Sequence, residues 1–550
     1  MNKLTNRKVN RRRFLQWMGG SSAAALLVAC APATVPATGG EAAAPEAGTT
    51  TAESEQSGGT MIWVGHQEVA GLSPNDTGPT VQLAMIGNIH DPLLLVNENL
   101  ELEPLLAESY TVAEDGLQYT FTLRPGVTFH DGTPFTAKDV KYTFDFYSNV
   151  ENGSTLANNF QGMNTVEAPD DMTVVITMSS VNAAFLVNAA TTLIVPADYH
   201  AEVGEDTYRT KPIGTGPFKV VEWVAAEYTL LEANPDYFLG RPKVDFLRQE
   251  TVPEPSVRAI ALETGDAHYA TWPLLVEDSI RLRDSGEGYQ VFETPASSVK
   301  HIPLNNNHPV LAEKQVRQAL LYALDRQRII DDLWNGAAVV ATSNLSPAST
   351  YYNPNVKTYA YDPEQAKALL EEAGWAVGAD GIREKDGVRC AFVCATIIGD
   401  QARRPIAELA QQLFKEVGVE MTLEETSSAS SGMRDGDLDA SLYNWTYGSV
   451  TDPDASTTLR SDGANNFSHF KNERLDELLD LGLTETNPEK RKAYYAEVQE
   501  IVAEEVPFLF LQYDTWFDIF RPEVGGLPAP GAIKDGNRLM RKAYLMSLNS

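Results

Sequence analysis

The residue types that carry catalysis are present in this chain, but not in the spacings that catalysis needs. No Gly-x-Ser-x-Gly presents a nucleophile, no His-Glu-x-x-His sets two imidazoles on one helical face, and no Gly-x-x-x-x-Gly-Lys wraps a phosphate. The eight histidines are scattered without metal-ligand spacing. Asp435-Gly-Asp-Leu-Asp439 begins like a calcium loop. Ala440, however, stands where a glycine must turn the chain and Thr446 where a glutamate must ligate, so the segment reads as a solvated turn. Gly214-Thr-Gly-Pro-Phe218 precedes a strand-like run and no helix, which makes it a tight turn and not a phosphate cradle. What remains is a concentration of aromatic and polar side chains in Tyr443-Asn-Trp-Thr-Tyr-Gly-Ser-Val-Thr-Asp-Pro-Asp454. That is equipment for binding by packing and hydrogen bonding.

The elements that must position this segment show mixed periodicity. Met61 to Val64, Tyr119 to Leu123, Thr173 to Met178 and Tyr228 to Leu231 read as strands bounded by Gly, Pro, Asn or Asp. Helical spacing strengthens later. Gln315 to Trp334 puts Val316, Leu320, Ala323 and Leu324 on one face, and Asp362-Pro363 opens a helix that faces Ala366, Leu369, Leu370 and Ala373 inward before Gly374 ends it. Cys390 to Ile398 is strand-like. Ile406, Leu409, Ala410, Leu413 and Val417 form the next helical stripe, and Val419 to Leu423 the returning strand, which is the order of a βαβ unit. Cys390 and Cys394 lie four apart on one strand, about 13 Å, too far for a disulfide. They read as buried small hydrophobes.

The chain opens with Asn10-Arg-Arg-Arg-Phe-Leu-Gln16 and a short apolar run ending at Leu27-Val-Ala-Cys30. The run is too short to span a bilayer, so it is expected to be an export signal. The paired arginines resemble a twin-arginine signal, and Leu-Val-Ala-Cys resembles a lipobox that makes Cys30 the acylated first residue of the mature protein. A general secretory signal needs the same basic start and small-residue site. Residues 31 to 59 are almost entirely Ala, Pro, Thr, Gly, Ser and Glu, which cannot bury enough apolar surface to fold. They are expected to form a tether of about 30 residues, holding the folded part roughly 30 Å from its anchor.

Six of the 43 Lys and Arg and none of the 75 acids precede Cys30, leaving 37 cations against 75 acids, a net charge of −38 for the mature chain. That balance disfavours nucleic acid and anionic lipid as ligands. About 490 residues follow the tether, more than one core usually organises, so at least two lobes are expected.

Asp115-Gly-Leu-Gln-Tyr-Thr-Phe-Thr-Leu-Arg-Pro-Gly-Val-Thr-Phe-His-Asp-Gly-Thr-Pro-Phe-Thr-Ala-Lys-Asp-Val-Lys-Tyr-Thr-Phe144 reads locally as a hairpin and then a helix capped by Thr136 or Asp139. The block closely resembles the signature of family 5 extracellular solute-binding proteins of ABC importers, the dipeptide and oligopeptide-binding type. Leu102-Glu-Pro-Leu-Leu-Ala-Glu-Ser-Tyr110, Pro212 to Trp223, Asn234-Pro-Asp-Tyr-Phe238, Leu262-Glu-Thr-Gly-Asp266 and Val316 to Arg326 extend the resemblance over almost the whole mature chain.

The resemblance implies an α/β periplasmic-binding-protein-like fold of type II with two lobes and an extra subdomain inserted in lobe I. Lobe I would take 60–92, 209–294 and 512–550, the insertion 93–208 and lobe II 300–508. Hinge segments are expected near Thr294 to Asn305 and Val506 to Phe517. It implies a receptor that is not an enzyme, uses no cofactor or metal, acts as a monomer and hands a small solute, peptide-like or oligosaccharide, to a permease driven by a separate ATPase. It would sit on the outer face of the cytoplasmic membrane or in the periplasm, held by the lipid on Cys30. A secreted hydrolase and a scaffold for exported chains are the other classes considered.

By the same resemblance the segment after a lobe II strand lines the cleft, making Trp445 and Tyr447 the first expected contacts and Asn444 and Asp452 polar ones. Trp272, Thr80 with Gly78 before it, and Asn305 follow. One departure bears on the solute. Peptide binders of the family carry an Asp three residues after this Trp for the peptide's amino terminus, and here Gly448 stands there with Ser449 next. Thr396 falls near the place of the dipeptide type's carboxylate-clamping Arg, with Arg403-Arg404 at the following helix start. An unpaired ammonium in a closed cleft costs several kcal/mol. A free dipeptide held by its two ends is therefore disfavoured against a longer peptide bound by its backbone, or a neutral oligosaccharide stacked on Trp445 and Trp272.

Overall fold

The computed structural model describes residues 58–76, 80–271, 274–398, 403–447 and 451–549. The export signal, Cys30, Trp272, Gly448 and Ser449 lie outside the described residues, as does all of the tether except its last two residues. Those two already belong to the folded body: Gly58 N–H donates to Lys243 O at 3.0 Å and Gly59 N–H to Asp245 Oδ2 at 2.9 Å.

The four runs read as strands are strands. Thr60–Gly65 runs parallel to Phe246–Thr251 and Tyr269–Ala270, and the remaining neighbours in this nine-stranded mixed sheet pair antiparallel. Two members, Gln290–Pro303 and Phe508–Phe520, are far longer than the rest. They pair antiparallel from Gln290/Phe520 to Pro303/Phe508, with breaks in register between Pro295 and Val299 and again at Lys300/His301. One end of each strand packs into one lobe and the other end into the second. Phe292, Phe517, Ile519 and Phe520 enter cores shared with Met61, Val64 and Leu247, whereas Val299, Ile302, Leu509, Leu511 and Tyr513 enter cores shared with Leu320, Leu413 or Leu478. The fold is the two-lobed α/β architecture, with the lobes joined by this crossing pair.

A separate core, from Leu93 to Tyr208, is built on a four-stranded antiparallel sheet that includes Ala107–Val112, Gln118–Leu123 and Thr173–Met178. The first two form a hairpin whose turn places Gly116 at φ +70, a conformation that costs glycine least. The Ala137–Ser148 helix then starts behind Thr136, whose N–H donates to the Asp139 carboxylate at 2.9 Å. Gly214 and Gly216 explain their motif: a Cβ on either would lie within 2.6 Å of the Ile89 carbonyl oxygen, so only glycine lets the turn press against that backbone.

In lobe II, Ala391–Ile397 and Glu420–Thr426 are parallel neighbours joined through the Arg404–Glu416 helix, which buries Ile406, Ala410 and Leu413. This is the expected βαβ unit. Cys390 and Cys394 are free and buried, and burial pushes both thiols up to about 12. The expected single helix from Gln315 to Trp334 is instead two, Lys314–Ala323 and Arg326–Trp334. The Asp325 side chain accepts from Arg328 N–H and so starts a new helix. The break lets buried Arg326 donate to the carbonyls of Ala341 and Tyr359, a tertiary demand invisible to periodicity.

Candidate functional site

In an open α/β sheet the ligand crevice lies outside the carboxyl ends of the strands. In lobe II the parallel strands end at Ile397, Thr426 and Ser441, and the short strand Tyr443–Trp445 follows the last of them and pairs antiparallel with Val299–His301 of the first crossing strand. Trp445 is half-buried there, with its ring 5.7 Å from Tyr443 and 5.6 Å edge-on from Phe467. The indole is thus fixed against aromatic neighbours while keeping part of its surface open.

Asn444 is register partner of Lys300, which is partner of Gln512 on the second crossing strand, so the three side chains lie on one face of three adjacent strands. Lys300 Nζ is ion-paired with Asp514, and Gln512 Nε2 donates to Asp514 Oδ1 at 2.8 Å. The Lys300 ammonium also lies 4.9 Å from the centre of the Trp334 ring. Asn444 Oδ1 and Gln512 Oε1, on either side of Lys300, are buried and have no hydrogen-bond partner among the described residues. Such acceptors are rare in native interiors because each costs about 1–3 kcal/mol. The row therefore offers two neutral acceptors flanking a charge pair that is already neutralised.

On the lobe I part of the crossing strands, Asp518 is fully buried, and its Oδ1 accepts from Tyr269 Oη at 2.5 Å and Thr271 Oγ1 at 2.8 Å. Burial, opposed by these two bonds, pushes its carboxyl up to about 6. Sequence patterns gave no signal for Lys300, Gln512, Asp514 or Asp518, because the crossing strands read only as extended and apolar.

Three of the residues singled out in the sequence sit elsewhere than expected. Tyr447 is a core residue, 3% exposed, packed on His301, Phe508 and Phe510 with its hydroxyl on His301 Nε2. Asp452 is spent on buried Arg491 at 2.9 Å, which takes it from the solute to the inside of lobe II. Asn305 is 5% exposed and fully occupied: its amide donates to the carbonyls of Gly436 and Leu438, and its oxygen accepts from Asn307 N–H. Asn305 serves backbone groups, as polar side chains at turns do first, while Tyr447 and Asp452 are taken by side chains distant in the chain. Thr80 begins the Thr80–Ile89 helix, and Thr396 is buried in its strand. The Asp435–Asp439 turn serves the fold through Asp439, which accepts from Val393 N–H. Among the described residues, no group of three or more His, Cys, Asp or Glu side chains is placed to hold a metal ion.

This two-lobed architecture, its lobes joined by a pair of crossing strands, is that of a solute-binding protein. The chain belongs to the bacterial extracellular solute-binding proteins of family 5, whose model matches residues 101–468. It is 30% identical to the oligopeptide-binding protein AppA of Bacillus subtilis over 76% of this chain and 80% of that protein. The solved structure of AppA in complex with a nonapeptide superposes with a TM-score of 0.71 at 26% identity, covering 90% of this chain and all of that one. Heme-binding protein A of Haemophilus influenzae is 31% identical over 78% of this chain and 81% of its own length. NikZ from Campylobacter jejuni in complex with Ni(L-His) matches with a TM-score of 0.72 at 28% identity, over 90% and 99% of the two chains. The protein is thus an extracytoplasmic solute-binding receptor of an ABC transporter, in a family whose members differ in cargo.

Proposed function

We propose that this receptor captures a peptide-like solute longer than a dipeptide by closing its two lobes about the crossing strands, and delivers it to the permease of its transporter. The reading rests on the row through Asn444, which the pleat turns to the face of the strand opposite Trp445. Asn444 Oδ1 and Gln512 Oε1 are neutral acceptors suited to backbone N–H donors, and the Lys300–Asp514 pair leaves no net charge there to seek a free terminus. Contacts to both lobes stabilise a closed form, and the register breaks between Pro295 and Val299 give the crossing strands a place to bend. Trp445, Asn444 and Thr80 are assigned to the solute. A lipid on Cys30 holds the receptor at the membrane while the tether lets it move over its permease.

A neutral oligosaccharide is the second reading, favoured by the part-open indole of Trp445. Calorimetry of the mature protein against di- to octapeptides, neutral oligosaccharides, hemin and Ni(L-His) tests both. Stoichiometric binding of the longer peptides, unconsumed, with little or no dipeptide binding, is the expected result. Micromolar binding of a free dipeptide, or binding of hemin or Ni(L-His) alone, rejects it.

A further inference from the structure

Beyond Gly65, at the carboxyl end of its strand, residues 66–76 form an irregular loop. Crevices of open α/β sheets lie at such strand ends, which puts this loop on the lobe I side of the expected cleft. Within lobe I it is held by two side chains. Gln82, 2% exposed, closes a clasp by accepting from Ala70 N–H at 3.0 Å and donating to Asp76 O at 2.6 Å, and Trp223 Nε1 donates to Val69 O at 2.8 Å.

The inserted subdomain supplies the rest. Arg209, just after the insertion's last helix (Glu205–Tyr208), reaches three loop residues: its guanidinium donates to Asp76 Oδ1 at 2.5 Å and to Ala70 O at 3.4 Å, and its carbonyl accepts from Leu72 N–H at 2.9 Å. Ser73 Oγ donates to Glu205 Oε1 at 2.5 Å, and Glu205 Oε2 accepts from buried His200 Nε2 at 2.8 Å. Asn75 accepts from Thr155 N–H at 2.9 Å. A cavity of about 660 Å³ opens between loop and insertion, lined by Asn75, Asp76, Gly153, Glu205 and Arg209 among others. Asn75 also donates from Nδ2 to Gly153 O at 3.3 Å and accepts at its carbonyl from Thr155 Oγ1 at 2.8 Å, and Ser73 Oγ lies 3.4 Å from Tyr147 Oη, so Arg209 makes three of several bonds that couple the loop to the insertion.

We propose that Arg209 is a positioning residue for solute capture, through which the insertion braces the 70–76 loop at the cleft. The proposal rests on the solute reading only for the use of the loop, and the brace itself is measured without solute. The test is hydrogen exchange with mass spectrometry on the full mature protein, comparing wild type, Arg209→Ala, Arg209→Lys and the milder Ser73→Ala. Strands Thr60–Gly65 and Gln118–Leu123 serve as internal references.

Arg209→Ala is expected to speed exchange in 70–76 by about tenfold while both references stay unchanged, since local opening tracks the few bonds that oppose it. Arg209→Lys should recover part of the protection, because an ammonium keeps the charge toward Asp76 but loses the planar guanidinium that sets its Nη2 between Asp76 and Ala70. Ser73→Ala should act in the same place more weakly, and it carries the test should Arg209→Ala fail to fold. Unchanged exchange in 70–76, or equal acceleration in the references, overturns the brace. A wild type that binds none of the peptides rejects the peptide reading alone and leaves the exchange result to decide the brace.

Discussion

Tyr447 donates its hydroxyl proton to His301 Nε2 across 3.1 Å, and the backbone fixes the direction of that bond. His301 Nδ1 lies 3.0 Å from the Val299 carbonyl, which can only accept, so Nδ1 carries the ring proton and Nε2 is left as the acceptor. Burial, opposed by the Val299 bond and aided least by the Arg403 charge, lowers the imidazole to about 4. Its contribution to stability is therefore full above the unfolded value of about 6.5 and is lost as pH falls toward 4. Tyr447→Phe removes the donor and should cost about 1–3 kcal/mol in urea denaturation at pH 7, with solute affinity unchanged. An affinity loss as large as that of a cleft mutant would return Tyr447 to the binding wall.

Asp452 and Arg491 form an ion pair with side chains 13% and 5% exposed. Asp452→Ala strands the guanidinium in lobe II and should cost about 3–5 kcal/mol, while Asp452→Ala with Arg491→Met should recover much of it. Denaturant titration of both variants reads this directly, and a single mutant as stable as wild type would show that the pair holds nothing.

Trp445→Ala should weaken the true solute by about thirtyfold or more, the equivalent of about 2 kcal/mol, with only a modest loss of stability because the indole is half-buried. Calorimetry decides it. Unchanged affinity would assign Trp445 to the aromatic cluster with Tyr443 and Phe467 and nothing more.

Asp518 carries a pH signature of opposite sign to His301. Its carboxyl is raised from 3.8 to about 6, so its contribution is full below the unfolded value and is lost as pH rises through 6. Asp518→Asn should accordingly gain on wild type between pH 4 and pH 7, by roughly 3 kcal/mol if the whole shift is expressed. Parallel denaturation curves for the two proteins across that range would contradict the assignment.

Cys30→Ala should release the protein from membranes into the soluble fraction, since no described helix is long and apolar enough to cross a bilayer. A single acyl chain binds only marginally, so the proposed anchor calls for more than one chain on that residue. Fractionation of cells expressing the variant measures it, and unchanged retention would place the anchor elsewhere.

Local chemistry made much of this protein legible before any coordinates. The alternation in Thr173 to Met178, the Asp362-Pro363 start with Gln365 N–H donating to Asp362, and the stripe of the Arg404–Glu416 helix are decided within a few residues, where propensity and burial act together. The Asp115 to Phe144 block went further, since its turn, strand and cap residues are each required where they stand, and it led to the family.

The site was legible only in part, because a side chain's partner is chosen by what folding brings beside it. Trp445 could be placed at a strand end from its neighbours in the chain, but the Arg491 that claims Asp452 is 39 residues away, and the His301 that claims Tyr447 is 146. The pairing of two crossing strands more than 200 residues apart set Lys300 against Asp514 and left Asn444 and Gln512 with open acceptors on either side. The sequence by itself determined which segments become strands, helices and turns and to which family they belong. Tertiary structure alone decided which polar groups are spent on holding the fold together and which acceptors stay without a partner among the described residues, because hydrogen bonds and ion pairs between distant segments depend on distance in space and not on spacing along the chain.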